Sequence, residues 1–309
     1  MTAKIMDGRE VSRILRPELE RYALELKQRQ RRLPALAALL IGDDPASRQY
    51  VRNKRRFAEE LGFESWLVTM TAEEATTGHL LEEIARLNAD TSVAGILLQL
   101  PIPAHVDSFR LFDAIDPGKD VDAVGTVNVG DFYRAQLGRF IPCTPRGVLT
   151  LLKCYGVPTD GARAAVIGRS DIAGKPMALI LGGRMCNATV TWCHRHTRDL
   201  GAICREADIV VSCAGAEVAG RAFLITADMV KPGACVIDVG FRRVEDGKFV
   251  GDVDFDRVKE VAGWLTLNPG GTGPMTVLAL MQNLIDAARY KLGLGRAVYS
   301  FDFAAKSVT

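Results

Sequence analysis

No C-x-x-C pair occurs in the 309-residue sequence, although it holds seven cysteines, at 143, 154, 186, 193, 204, 213 and 235. Most sit in apolar, strand-like or helix-like surroundings, which fits buried free thiols in a reducing compartment best. Histidine is scarce: His79, His105, His194 and His196 are the whole supply, and no Cys/His/Asp cluster has zinc-ligand spacing, so no metal is expected. Neither sign of charge dominates. The 39 basic and 37 acidic residues leave a formal +2, which gives no reason to expect nucleic acid or a membrane as partner. Long apolar runs are also missing: 93–100 is far too short to span a bilayer. The first fourteen residues carry charges but no apolar core of a secretory signal. These absences predict a soluble, cytoplasmic protein.

What is present points to two domains, since the chain exceeds one typical core. A charged amphipathic helix over 11–31 precedes the apolar run 35–41, which reads as a strand buried on both faces of a parallel sheet. Asp43 and Asp44 can cap a helix over 46–61 that Pro45 enters in its first turn. Within it Tyr50 and Lys54, four apart, share one face. A lysine in a partly dry pocket beside a phenol suits proton transfer. Taken alone, the segment with Arg48, Arg52, Arg55 and Arg56 fits a solvated basic helix better. Strand 63–70, helix 73–88 and strand 93–99 follow, a repeated β-α-β pattern. Ligands in such sheets bind beyond the C-terminal strand ends, which puts Lys54 and Gln99 on the same rim. The stretch 116–130 is turn-rich, and Asp122 within it gains meaning only if it faces that rim.

Phe140-Ile-Pro-Cys-Thr-Pro145 marks the crossing to a second domain, with Thr144 as cap of a helix over 145–155. Strand 164–167, the turn Gly168-Arg-Ser-Asp-Ile-Ala-Gly174 and a helix over 177–184 place backbone N–H groups where phosphate binds. After the next strand, 188–193, an acidic residue would select NAD. The chain instead reads His194-Arg195-His196-Thr197. These cations, with Arg169, suit a ribose 2′-phosphate and favour NADP. Ala214, Gly215 and Gly240 at later strand ends leave no bulk where a dinucleotide would cross, or are plain turns. The stretch 249–254 is a short strand with an acidic exit and no assigned chemistry. Asn268-Pro-Gly-Gly-Thr-Gly-Pro-Met-Thr276 opens a helix over 275–292. Such density of glycine and proline predicts close approach to a ligand or a rigid elbow.

Eight stretches together resemble the bifunctional methylenetetrahydrofolate dehydrogenase/methenyltetrahydrofolate cyclohydrolase (FolD) family. They are GDDPAS with Tyr50-x-x-x-Lys54, GILLQLPIPAH, PGKDVD, PCTPRG, VIGRSDIAGKPMA, VKPGACVIDVG, GDVDF and PGGTGPMT, in order along nearly the whole chain. The resemblance implies two α/β lobes, each a mostly parallel sheet flanked by helices, the second a Rossmann-type NADP-binding domain, with folate in a cleft between. Residues 1–142 and the helix 274–292 would form the substrate lobe, 143–273 the cofactor lobe, and 293–309 a weakly ordered tail. It implies Lys54 as cyclohydrolase acid/base, tuned by Tyr50 and Gln99, with Asp122 gripping the pterin. Pro101, Gly270, Gly271 and Pro274 would line the folate slot. Gly168, Arg169, Ser170, Gly174, Arg195, His196, Ala214, Gly215, Gly240 and Thr276 would border NADP. A homodimer joined through the cofactor domain is also implied. Two departures stand out: Ala123-Val124-Gly125 replaces the usual Gly-Phe-His after Asp122, and Thr272 replaces Val or Ile. A dehydrogenase without cyclohydrolase, an enzyme for a related one-carbon pterin and a non-catalytic paralogue remain as alternatives. A shikimate-type dehydrogenase would need neither PGGTGPMT nor KDVD.

Overall fold

The computed structural model describes residues 2–30, 32–135, 139–215, 222–243 and 249–300. In chain order the elements are β1 (Lys4–Met6), α1 (Gly8–Arg29), β2 (Ala35–Ile41), α2 (Pro45–Glu60), β3 (Glu64–Met70), α3 (Thr77–Ala89) and β4 (Val93–Gln99). Then come α4 (Ser108–Ala114), α5 (Thr126–Ala135), α6 (Cys143–Cys154), β5 (Arg163–Ile167), α7 (Gly174–Gly182), β6 (Thr189–Cys193), α8 (Leu200–Glu206) and β7 (Ile209–Ser212). The series ends with β8 (Cys235–Asp238), β9 (Arg242–Arg243), β10 (Phe249–Val250), α9 (Phe255–Val258), β11 (Trp264–Thr266) and α10 (Thr272–Lys291).

The described residues form two compact units, one drawn from 2–14, 144–276 and 300, the other from 15–143 and 277–299. The second unit holds a three-stranded parallel sheet in the order β3-β2-β4. All seven residues of β2 are buried, as its unbroken apolar run requires. Leu39 and Ile41 of β2, Leu80 and Ile84 of α3, and Ile96 and Leu98 of β4 pack in one cluster. The first unit holds a six-stranded parallel sheet in the order β1-β11-β8-β7-β5-β6. The chain leaves β5 for β6 on one side and returns to β7 on the other, so the switch point lies between β5 and β7.

Four expectations need correction. The N-terminal residues do not belong with the substrate unit: β1 pairs in parallel with β11, Lys4 opposite Trp264 and Met6 opposite Thr266. A strand of three residues has too little pattern to be read locally. The 116–130 stretch is not all turn, because α5 starts at Thr126, where Asp113 Oδ1 accepts its N–H at 2.8 Å. Thr144 is not a cap, since α6 begins at Cys143 and the Thr144 hydroxyl instead lies 3.2 Å from that of Thr276. The tail is not loose over 293–299: Ala297 N–H donates to Asp286 at 2.8 Å, and Tyr299 is fully buried. Arg31 and residues 301–309 lie outside the described residues.

Candidate functional site

The substrate-side constellation is built on α2. Asp44 caps the helix, its carboxylate accepting the Ser47 N–H at 2.7 Å, and Pro45 fills the first position, where no N–H is needed. Ser47, Val51, Lys54 and Ala58 follow at intervals of four, three and four and are the buried stripe of the helix. Lys54 thus stands where the spacing calls for an apolar residue, and it is only 6% exposed. Burying an ammonium is costly unless it is paired. The partner is Gln99, at the end of β4, whose Oε1 accepts from Lys54 Nζ at 3.2 Å. Helical side chains lean toward the N-terminus, which lets Lys54 reach back to the strand ends.

The orientation of the Gln99 amide is set by its other half. Nε2 donates to the Leu100 carbonyl at 2.7 Å, leaving the oxygen for Lys54. The Ser47 hydroxyl donates to the same carbonyl at 3.1 Å, tying α2 to the exit of β4. Ser47 was not singled out from sequence; its place on the Lys54 stripe is the signal that finds it. Tyr50 is half-buried on this helix, and burial pushes its phenol above the usual range, so it acts as a neutral hydroxyl. Pro101 lines a cavity of about 550 Å³ with Leu100, Ile102, Pro103, Ala104 and Val106.

Asp122 is carried by the neighbouring segment. A parallel bridge between Ile96 and Asp120 sets that segment running alongside β4, toward the same strand end as Gln99. The buried Asp120 carboxylate accepts from Gly125 N at 2.9 Å and from Val124 N and Asn128 Nδ2 at 3.0 Å. Burial nevertheless raises its pKa. From α10 the Asn283 amide donates to Val121 O at 2.7 Å and to Ile141 O at 2.8 Å. Asp122 itself is half-buried, and its carboxylate takes no hydrogen bond or ion pair from any described residue. The turn is rigid and its acceptor is open.

In the other unit Gly168 ends β5 with φ +123°, and a Cβ there would stand 2.7 Å from the Cys213 carbonyl. A Cβ on Gly174 would meet Gly168 O at 2.4 Å, so strand and helix approach as only glycine allows. Ser170 Oγ accepts from Gly174 N at 3.3 Å. Ala173, before α7, supplies no side-chain cap, and the first turn is closed from within the loop, Lys175 N–H donating to Ser170 O at 3.0 Å. Exposed Arg169, Arg195 and His196 stand on the same turn and on the segment after β6, with Arg195 Nε and His196 Nε2 3.1 Å apart. These residues fit a dinucleotide that carries an additional phosphate.

The other sequence-singled residues have structural tasks of their own. Ala214 and Gly215 give their N–H groups to the buried Asp252 carboxylate, at 3.0 and 3.1 Å. Gly240 must be glycine, since a Cβ would fall 2.1 Å from Asp252 Cγ. Thr276 donates its hydroxyl to Thr272 O at 3.0 Å. Gly270 has φ +119° under the Arg9 guanidinium, whose Nη2 donates to Pro269 O at 3.0 Å. Gly271 N–H donates to Leu267 O at 2.8 Å, and Pro274 sits in the first turn of α10. Asp252, assigned no chemistry from sequence, also accepts from Ser212 Oγ at 2.7 Å and is the hub of these strand ends.

Comparison with known families agrees with this geometry. Residues 6–122 match the tetrahydrofolate dehydrogenase/cyclohydrolase catalytic domain, and 142–292 match the NAD(P)-binding domain of the same family. The chain belongs to the tetrahydrofolate dehydrogenase/cyclohydrolase family. The bifunctional protein FolD of Burkholderia thailandensis is 49% identical over 288 residues, covering 93% of this chain and 98% of its own. The solved bifunctional FolD enzyme of Campylobacter jejuni is 40% identical, with a TM-score of 0.87 over 94% of this chain and 99% of its own. The Trypanosoma brucei FolD, solved with NADP and an inhibitor, is 37% identical, with a TM-score of 0.88 at the same coverages.

The two departures noted in the sequence, at Ala123 and Thr272, each have a local counterpart in the structure. Ala123 adopts φ +58°, a conformation glycine holds more easily. The hydroxyl of Thr272 donates to Asp238 O at 3.3 Å, a contact closed to Val or Ile.

Proposed function

We propose that this chain oxidises 5,10-methylenetetrahydrofolate to the 5,10-methenyl form with NADP and hydrolyses the methenyl form to 10-formyltetrahydrofolate. The observation that carries the reading is the buried Lys54 ammonium held on the oriented Gln99 amide. When bound, NADP supplies the hydride acceptor. Gly168, Arg169, Ser170 and Gly174 would hold its phosphates, and Arg195 with His196 its 2′-phosphate; Ala214, Gly215, Gly240 and Thr276 would border it.

Hydride transfer asks the protein chiefly for positioning. Asp122 would take the pterin amino group and ring N–H in a two-point grip, which its unengaged carboxylate allows. Pro101, Gly270, Gly271 and Pro274 would line the pterin slot. Hydrolysis of the methenyl cation is different, because attacking water must lose a proton. Lys54 would move that proton, Gln99 would hold its Nζ in place, and the neutral Tyr50 hydroxyl would orient the reacting groups. We also infer a cytoplasmic homodimer, supported by the family resemblance and by seven cysteines that are all free. Light scattering on the purified chain tests the dimer.

The deciding experiment follows NADPH formation and loss of methenyl absorbance side by side in the wild type and in Lys54→Met. The variant should lose hydrolysis and keep measurable dehydrogenase. Wild-type hydrolysis in the variant would remove Lys54 from the mechanism. NADPH formation without hydrolysis in the unmodified chain would make it a dehydrogenase alone.

A further inference from the structure

Trp192 is the third exposed residue on β6, the edge strand of the six-stranded sheet. It is 46% exposed, so burial of its ring does not account for its place. Side chains alternate along a strand, and Val190, two residues earlier, lies on the α7 side, 3.5 Å from where a Gly182 Cβ would stand. Trp192 points to that same side. There its indole Nε1 donates to the Gly168 carbonyl at 2.6 Å.

Gly168 is thereby held at both ends by β6. Its N–H donates to the Cys193 carbonyl at 2.9 Å, and its oxygen receives the indole. At φ +123° glycine alone is at ease, and without an anchor its carbonyl could rotate. Across a trans peptide the C=O and the following N–H point opposite ways. Fixing the oxygen on Trp192 therefore turns the Arg169 N–H away from β6. A Cβ on Gly174 would lie 2.4 Å from that oxygen and 2.9 Å from the Arg169 nitrogen, so α7 begins directly against this peptide.

We propose that Trp192 is a positioning residue for NADP, its indole N–H setting the Gly168–Arg169 peptide so that the turn offers its backbone to the dinucleotide phosphates. The inference rests on the NADP reading above and adds a residue to it.

The test is Trp192→Phe, which keeps an aromatic ring on the edge strand and removes the donor. The KM for NADP should rise about two- to tenfold, the range one hydrogen bond spans, with kcat little changed. NADP should also raise the melting temperature of the variant less than that of the wild type. Methenyl hydrolysis, measured without NADP, should hold its wild-type rate. An unchanged KM for NADP would overturn the proposal. So would a parallel fall of both activities with the melting temperature of the free protein, which marks a purely structural role. If the phenylalanine form fails to fold, Trp192→Leu, which also lacks a donor, carries the same comparison. A wild type that makes no NADPH would instead refute the NADP reading itself, a result distinguishable from either.

Discussion

Lys54 Nζ and Gln99 Oε1 stand 3.2 Å apart, and Gln99 is the hydrogen-bond partner of the lysine among the described residues. The amide cannot turn over without losing its 2.7 Å bond to the Leu100 carbonyl. Gln99→Met should therefore leave a folded protein whose buried ammonium has no acceptor, at a cost of about 1–3 kcal/mol. Hydrolysis of the methenyl substrate should fall about tenfold or more, as Lys54 leaves its productive position. Stopped-flow absorbance and urea unfolding measure both. Wild-type hydrolysis would show that the pair is only structural.

Ala123 follows Asp122 with φ +58°, which costs an L-residue about 1–2 kcal/mol. Ala123→Gly should raise unfolding stability by about 0.5–1 kcal/mol after the entropy of glycine is counted. Its carboxyl-side neighbours remain tied to Asp120, so the turn should keep its shape and its affinity for substrate. A lower urea midpoint for the glycine variant would contradict this.

Asp238 is buried beside Asp252, and burial, reinforced by the Asp252 charge, raises its pKa to about 7. Its pKa in the unfolded chain is the ordinary 3.8. Between those values the folded state binds the extra proton, so stability is full below pH 4 and falls as pH rises toward 7. Asp238→Asn removes this titration. Relative to the wild type, the variant should gain stability between pH 5 and pH 8, whatever its offset at pH 5. Urea midpoints at the two pH values read the difference, and a constant offset would refute it.

Tyr299 is 0% exposed, its ring edge-on to Tyr22 with centroids 5.2 Å apart. The Tyr22 hydroxyl donates to Val298 O at 2.6 Å, and Arg289 holds Glu25 at 2.6 Å. Tyr299→Ala should cost about 3 kcal/mol, the usual loss for a buried aromatic. Denaturant unfolding gives the value directly, and a cost below about 1 kcal/mol would return this segment to the status of a loose tail.

Much of the site was legible in local spacing. Tyr50 and Lys54 share a face because they are four apart on a capped helix, and Gln99 ends a strand that parallel topology sets beside that helix. Strand-turn-helix chemistry likewise marked Gly168 and Gly174. Asn283, Ser47 and Asp252 were not legible, because each works through a backbone group far away in sequence. The donor of Asn283 meets an oxygen 162 residues distant. Weak patterns hid elements as well: β1 has three residues, and α5 draws on Asp120, Asp113 and Asn128 more than on helix propensity.

The order of residues by itself determined the longer strands and helices and which side chains share a face on them, since those depend on periods of two and 3.6 residues. Tertiary structure alone decided that β1 enters the six-stranded sheet, that Asp252 ties the strand ends together and that Trp192 anchors Gly168. The physical reason is that pairing, burial and hydrogen-bond satisfaction are settled between segments far apart in the chain, where no local period can report them.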